Sequence, residues 1–357
     1  MRDRARLTID LDAVVANWRA LADRARASEV AAVVKADAYG LGAARVVPAL
    51  AQAGCRTFFT AHTEEAVAVR AAAPGTRVLV LHGITDGDAR EAVARGLVPV
   101  LNEPGQVRVW RELARGLGRP LPVALHLDTG MNRLGLTAET AIDWDGLVPV
   151  LVMSHLVSAE IAEDPLNEIQ RQRFERARAA WPAVPASLAN SSGMFLGAPF
   201  QLDLCRPGYA LYGGNPVPGR PNPMRPVVRL DAPVLQVRTI AAAGSVGYNA
   251  TFAVRPGMRI ATVPVGYADG WPRAAGNRAS VRIGGAPVPI AGRVSMDLIT
   301  LDVSHLPEAA VQPGTTVEML GGPDGIEALA DAAGTNGYEI LTRLGRRYAR
   351  CYRGGEP

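Results

Sequence analysis

Residues 31–72 read AAVVKADAYGLGAARVVPALAQAGCRTFFTAHTEEAVAVRAA, and this stretch sets the architecture. Two short apolar runs, AAVV and TFF, are each followed by a longer alanine-rich segment. Apolar runs unbroken by polar residues suit strands covered on both faces, as in a parallel sheet. Runs of this kind, rich in β-branched residues, begin near Ala31, Thr57, Arg77, Leu97, Leu121, Val148, Val184 and Leu202. Between most of them lie segments of helical composition, such as HTEEAVAVRAAA (62–73) and DPLNEIQRQRFERARAAW (164–181). Eight strand–helix units in about 190 residues fit a closed eight-fold (β/α) TIM-like barrel better than an open doubly wound sheet. Periodicity alone does not show closure, so the open sheet stands as the second reading.

Ahead of the first run, Val14, Trp18, Leu21 and Ala25 recur at helical spacing, and Asp12 is placed to cap that helix. The pattern changes after Tyr212. GGNPVPGRPNPMRP (213–226) is dense in Gly and Pro and reads as an ordered linker. Beyond it PVLQVRTI, MRIATVPV, SVRIGG, LITLDV and TTVEML follow one another without helical segments, separated by turn residues. That spacing predicts a mainly antiparallel β domain. The expected division is a barrel over residues 1–222 and a β domain over 223–357, with the N-terminal segment a candidate to pack on the second domain.

Composition narrows the function. The 357 residues are 48% hydrophobic and 20% charged, with a net charge of +4. These are the proportions of an ordinary globular enzyme rather than a nucleic-acid-binding chain. The densest basic cluster, Arg343, Arg346, Arg347 and Arg350, is short and reads as a solvated face. Three cysteines at unrelated spacings support neither a disulfide framework nor a zinc site. The N-terminus has no apolar core of a signal peptide, and no stretch approaches the ~20 apolar residues of a membrane helix. A cytoplasmic protein without metal, membrane or nucleic-acid partner is expected.

Polar residues recur where strands of the barrel should end. Lys35 follows AVV, His126, Asp128 and Arg133 lie in LHLDTGMNRLG (125–135), and His155 closes VMSH. Ser191 lies in LANSSG and Arg206 in LCRPGYALYG. Each alone has an ordinary structural use, Lys35 as a snorkelling strand-end lysine and the histidines as hydrogen-bonders. Their convergence on the carboxyl rim, where barrel enzymes place their chemistry, is the functional signal. A partly desolvated Lys35 would have a depressed pKa and be a competent nucleophile toward an aldehyde. The β domain adds VPVGYADGWPR with Tyr267 and Asp269, and GRVSMDLITLDV with Met296 and Asp297.

AVVKADAYG, LDTGMNRLG, ANSSG, CRPGYALYG, VPVGYADG and GRVSMD, in this order from about Ile9 to Arg347, resemble the motifs of the alanine racemase family. The resemblance implies a pyridoxal-phosphate enzyme that interconverts L- and D-alanine, supplying D-alanine for peptidoglycan. Lys35 would hold the cofactor and serve as one base, with Tyr267 as the opposing base. Tyr39, Ser191 and the backbone amides of Gly208 and Tyr209 would hold the phosphate. Arg206 would face the pyridine nitrogen, and His155 beside it would couple to the tyrosine's phenolate. Arg133 would contact the cofactor's phenolic oxygen or the substrate carboxylate, the amide of Met296 would bind that carboxylate too, and Asp297 would be a positioning group. The family further implies a homodimer whose active sites are shared between subunits.

Two departures stand out. His126 occupies a position where many members carry a carbamylated lysine that orients the arginine, so a histidine hydrogen bond to Arg133 is one hypothesis. Thr342, in ILTRLGRRY, replaces a tyrosine of some relatives and bears on substrate range. Other readings are a racemase of serine or another amino acid, a related pyridoxal-phosphate decarboxylase, or a non-catalytic cofactor carrier. The β domain that bears Tyr267 speaks against the carrier.

Overall fold

The eight apolar runs form eight parallel strands: Ala32–Val33, Thr57–Thr60, Arg77–Val80, Val98–Leu101, Leu121–His126, Leu147–Met153, Ala186–Ser187 and Leu204–Cys205. This computed structural model describes residues 4–25, 27–137, 140, 143–322 and 325–355. The first seven strands pair in sequence order in one parallel sheet. Leu204–Cys205 closes it. On one side Asp203 N donates to Ala186 O (3.1 Å) and Arg206 N to Ala189 O (2.9 Å). On the other, Ala31 N donates to Cys205 O (3.0 Å) and Val33 N to Pro207 O (2.9 Å), so the last strand bridges the two edges. The barrel expected from the apolar runs is therefore closed.

The run composition follows from burial. Phe58 and Phe59 are adjacent, so their side chains leave the strand on opposite faces, yet both are fully buried. One face fills the barrel and the other lies under the helices, which excludes polar residues from either. Helices begin where the sequence supplies acceptors and proline. Glu103 accepts from Gly105 N and Gln106 N at the start of Pro104–Leu117, and Asp164 accepts from Leu166 N ahead of Pro165–Arg178. Proline in the first helical turn wastes no hydrogen bond there. The first helix, Leu11–Arg24, is capped by Asp10 rather than Asp12, its Oδ1 accepting from Ala13 N at 2.8 Å. Asp10 is the last residue of the extended strand Arg6–Asp10, which gives it the non-helical backbone an N-cap requires; Asp12 is already inside the first turn.

The chain divides into two compact units, one built on Val14–Leu211 and the other on Met224–Gly354 with the start of the chain as far as Ala13. The second unit contains a six-stranded sheet in the order Ala286–Pro289, Ser280–Ile283, Thr316–Leu320, Val228–Pro233, Arg6–Asp10 and Ala349–Arg353. All its pairings are antiparallel except that of Arg6–Asp10 with Ala349–Arg353, which joins the two ends of the chain. A second antiparallel sheet is formed by Gln236–Thr239, Arg259–Val263 and Ile299–Asp302. Two short helices, Gly325–Ala333 and Gly337–Thr342, interrupt the strands where none was expected; at nine and six residues they are too short for a periodic signal.

Candidate active site

Lys35 follows its strand, Ala32–Val33, with only Val34 between, and is half-buried. Burial lowers its pKa, Arg133 lowers it further, and Glu65 partly opposes both. The next four residues, Ala36 to Tyr39, all have φ between 53 and 56°, a turn of left-handed helix built without glycine. Each such residue costs roughly 1–2 kcal/mol, so the turn must be held from outside. Glu65 accepts from Ala36 N (2.7 Å) and Ala61 N (2.8 Å), and Asp37 accepts from Ala43 N (2.7 Å). Gly40 and Gly42, at φ 82° and 96°, then return the chain to the following helix. The result fixes Lys35 and Tyr39 on one short rigid segment.

Tyr39 is buried, and that burial pushes its phenol pKa up, so it remains a protonated donor. A Cβ built on Gly208 would lie 2.2 Å from its Oη, so only glycine permits this approach. Ser191 Oγ accepts from Gly208 N (3.1 Å) and Ala210 N (3.2 Å), leaving its own O–H to donate. Two hydroxyls and a turn of backbone amides, with no carboxylate among them, are a donor set suited to a phosphate dianion. This part of the barrel rim fits the phosphate of pyridoxal phosphate. Gly208→Ala is expected to reduce cofactor affinity by about tenfold or more through this clash; titration of the cofactor-free protein, followed by absorbance, measures it.

Arg206 is buried with no carboxylate acting on it, and its pKa is pushed down to about 10, still fully charged at neutral pH. Its terminal nitrogens donate to Ser187 Oγ and to Ser154 O, the latter at 2.6 Å. A guanidinium fixed in this way can donate to a ring nitrogen but does not protonate it. His155 is pushed down to about 3, chiefly by burial and then by Arg206, Arg133, His126 and Lys35. It is neutral at any physiological pH and shares this pocket with those four groups.

His126 ends its strand, and its Nδ1 lies 2.9 Å from Asn102 Oδ1. Burial, Arg206 and Arg133 hold it at about 4, against an opposing pull from Asp128. Arg133 is exposed on the loop that follows, which Asp128 organises by accepting from Gly130, Met131 and Asn132 N–H groups at 2.9 Å. The loop returns to the strand through Leu136 N to His126 O (2.7 Å).

In the second unit Tyr267 is exposed on a short 3-10 turn, Tyr267–Asp269. Tyr267 N donates to Ser295 O and Ala268 N to Met296 O, both at 3.0 Å, placing the tyrosine beside the SMD segment. Gly266 is required at this seam, since a Cβ there would sit 2.2 Å from Met296 O. Asp269 and Asp297 both pair with Arg347, at 3.2 and 2.7 Å, locking the two segments together. Arg347 is thus a structural tie rather than part of a basic surface, and Arg343 pairs with Glu339 at 2.8 Å. Thr342 turns its hydroxyl back to Tyr338 O (2.9 Å), as a helix-end side chain does.

The barrel unit therefore assembles Lys35, Tyr39, His126, Arg133, His155, Ser191, Arg206, Gly208 and Tyr209, and the second unit assembles Tyr267, Met296 and Asp297. Asn102 and Glu65 escaped the sequence reading. Asn102 directly follows a strand, Val98–Leu101, and the same strand-end rule applied there would have found it. Glu65 lies inside a helical segment and gives no such sign.

A closed barrel that sets a desolvated lysine beside a phosphate cradle and a buried arginine defines a pyridoxal-phosphate enzyme of the barrel class. Comparison with known proteins takes this further. The alanine racemase N-terminal domain matches residues 9–216, and the alanine racemase C-terminal domain matches residues 227–352. The chain belongs to the alanine racemase family. It is 52% identical over 355 residues to an alanine racemase of Methylobacterium nodulans, covering 98% of this chain and 96% of that one. It is 47% identical to a catabolic alanine racemase of Agrobacterium fabrum, with 97% and 91% covered. Among solved structures, alanine racemase from Bartonella henselae, with covalently bound pyridoxal phosphate, superposes with a TM-score of 0.94 at 39% identity, covering 98% of this chain and 99% of that one.

Proposed function

We propose that this chain interconverts L- and D-alanine by a two-base mechanism, with pyridoxal phosphate at the barrel mouth, and supplies D-alanine for peptidoglycan. The observation that carries this reading is the depressed Lys35 amine beside the Tyr39–Ser191–Gly208 cradle. When bound, the cofactor supplies an electron sink that acidifies the substrate's α-proton. Lys35 holds it and moves the α-proton on one side of the substrate, while Tyr267 moves it on the other. Tyr39, Ser191 and the amides of Gly208 and Tyr209 would hold the phosphate, the Gly208 N–H giving up Ser191 Oγ to do so.

Arg206 faces the pyridine nitrogen as a donor only, which leaves a weaker sink and disfavours transamination. His155, half-buried and neutral, relays hydrogen bonding from Arg206 toward the tyrosine's phenolate. Arg133 binds the substrate carboxylate together with Met296 N–H. That amide donates to no acceptor among the described residues, and Asp297 positions it through Arg347.

Incubation with single L-amino acids in deuterium oxide, followed by chiral chromatography, tests the reading. α-Deuterated D-alanine is expected as the fastest product. Faster inversion of serine would move the specificity, carbon dioxide release would indicate a decarboxylase, and neither inversion nor exchange would favour a carrier.

No helix among the described residues is long and apolar enough to cross a membrane, and we assign the protein to the cytoplasm. We also propose a homodimer in which Tyr267 of one subunit serves the barrel of the other. A closed two-fold pair makes two identical composite sites. Mixed Lys35→Ala and Tyr267→Ala chains, each inactive alone, are then expected to recover up to about a quarter of wild-type activity per site, because random pairing makes half the dimers mixed and each of these has one intact site. Mixed chains that exchange subunits and stay inactive would refute the sharing.

A further inference from the structure

We propose that Gln170 is the positioning residue of His155: its side-chain amide takes the place of a neighbouring strand along His155–Val157, and the aim of the imidazole depends on it. The inference deepens the proposed function and rests on the reading of His155 as the relay toward Tyr267.

Gln170 stands on the helix Pro165–Arg178, whose buried face carries Asn167, Gln170 and Phe174 at spacings of three and four. It is fully buried, where an amide is costly unless its hydrogen-bonding groups are met. Here they are met. Nε2 donates to His155 O (2.9 Å) and to Thr129 Oγ1 (3.1 Å), and Oε1 accepts from Val157 N (2.8 Å). Turned over, the amide would set its oxygen against the His155 carbonyl and its N–H against the Val157 N–H, so only one orientation fits.

These bonds begin where the barrel's own pairing stops. The sixth strand, Leu147–Met153, makes its final backbone bond to a neighbouring strand through Ser154 N and Ser187 O (3.1 Å). Among the described residues no further backbone–backbone bond holds His155, Leu156 or Val157. His155 O and Val157 N, with Leu156 between them, are the pair that an antiparallel strand would engage. Gln170 supplies that partner from a helix.

The segment is held from its other end as well. Ser154 O accepts from Arg206 (2.6 Å), and Ser154 Oγ lies 2.8 Å from the same Thr129 Oγ1 that Gln170 bonds. Thr129, Ser154 and Arg206 are all buried. His155 is thus bracketed by a continuous set of bonds running Arg206–Ser154–Thr129–Gln170–His155. A methionine would fill the space of Gln170 equally well, so what the amide adds is direction: it fixes the backbone from which the imidazole projects.

The first readouts do not involve turnover. Val157 is 43% exposed, and the bond that protects its amide against hydrogen exchange is the one to Gln170. Slow exchange is expected in the wild-type holoenzyme, and exchange at least about tenfold faster in Gln170→Met. Equal rates would overturn the proposal. The chain has five histidines, so their ring 15N signals are separable in histidine-labelled holoenzyme, with His155 assigned by its loss in His155→Gln. In Gln170→Met the His155 signals should shift or broaden, while those of the exposed His62, His82 and His305 stay in place. Unmoved His155 signals would also overturn it.

Kinetics separates positioning from plain stability. With His155 misaimed, proton transfer at Tyr267 becomes the slower of the two transfers, while Lys35 keeps its own rate. In Gln170→Met the primary isotope effect on kcat/KM with α-deuterated alanine should rise for the enantiomer that Tyr267 deprotonates and fall for the other. A drop in kcat of roughly tenfold is expected with it. A loosened fold has no means of splitting the two enantiomers. Wild-type isotope effects in both directions, with only Tm lowered, would make Gln170 a structural residue and overturn the proposal. If Gln170→Met fails to fold, Gln170→Asn, an amide too short to span both groups, replaces it in each measurement. A fast-exchanging Val157 amide in the wild type would overturn the proposal without any variant. Failure of the underlying reading looks different: equal loss of exchange and inversion in Tyr267→Phe would remove the second base, while the Val157 and His155 signals still decide what Gln170 does.

Discussion

A Lys35→Ala chain is expected to form no covalent bond to pyridoxal phosphate and to racemise alanine at least about 10⁴-fold more slowly. Both losses trace to one side chain. The amine is the barrel-mouth group whose pKa is depressed by burial and by the neighbouring Arg133, and a neutral amine is the form that attacks an aldehyde. In the proposed mechanism the same nitrogen serves as one of the two bases, so its removal would cost anchoring and proton transfer together. Mass spectrometry after borohydride reduction measures the first loss, and chiral chromatography measures the second. The fold should survive, because Lys35 makes no ion pair among the described residues. Lys35 is the only lysine of the chain, so covalent attachment retained in Lys35→Ala would have to use a group other than a lysine side chain and would undo the assignment of the site.

Tyr267→Phe should behave differently. Cofactor attachment is expected to be normal, while inversion falls by about 10²–10⁴-fold, the range for removal of a general acid–base group. The distinguishing outcome is a split between exchange and inversion. With one base left, deuterium should still enter one enantiomer from solvent at an appreciable rate, while the opposite enantiomer is scarcely formed. The hydroxyl is exposed on its turn, and the turn is held by backbone bonds to Ser295 and Met296 and by Asp269, so phenylalanine should leave the segment in place. Equal loss of exchange and inversion would mean that Tyr267 positions the substrate and is not the second base.

Much of the barrel was legible because its signal is local. A strand covered on both faces needs apolar side chains at consecutive positions, and Phe58 and Phe59 show the rule at work. The strand-end position of Lys35, His126 and Arg206 was legible for the same reason, since each follows its apolar run directly. The short helices Gly325–Ala333 and Gly337–Thr342 were missed because nine and six residues leave no period to read. The cap of the first helix lies two residues ahead of the expected one, because Asp10 and Asp12 flank the boundary and only the backbone conformation chooses between them.

The sequence by itself determined the class of fold, the chemical types available at the barrel mouth and, through its ordered motifs, the family. Closure of the barrel through Leu204–Cys205 was decided in three dimensions, as was the pairing of Arg6–Asp10 with the distant Ala349–Arg353. So were the left-handed turn after Lys35 and the Asn102 clamp on His126. Each of these depends on partners far apart in the chain, or on a backbone conformation that its own residues disfavour. Local composition carries neither kind of information; the energy that selects them comes from the packed surroundings.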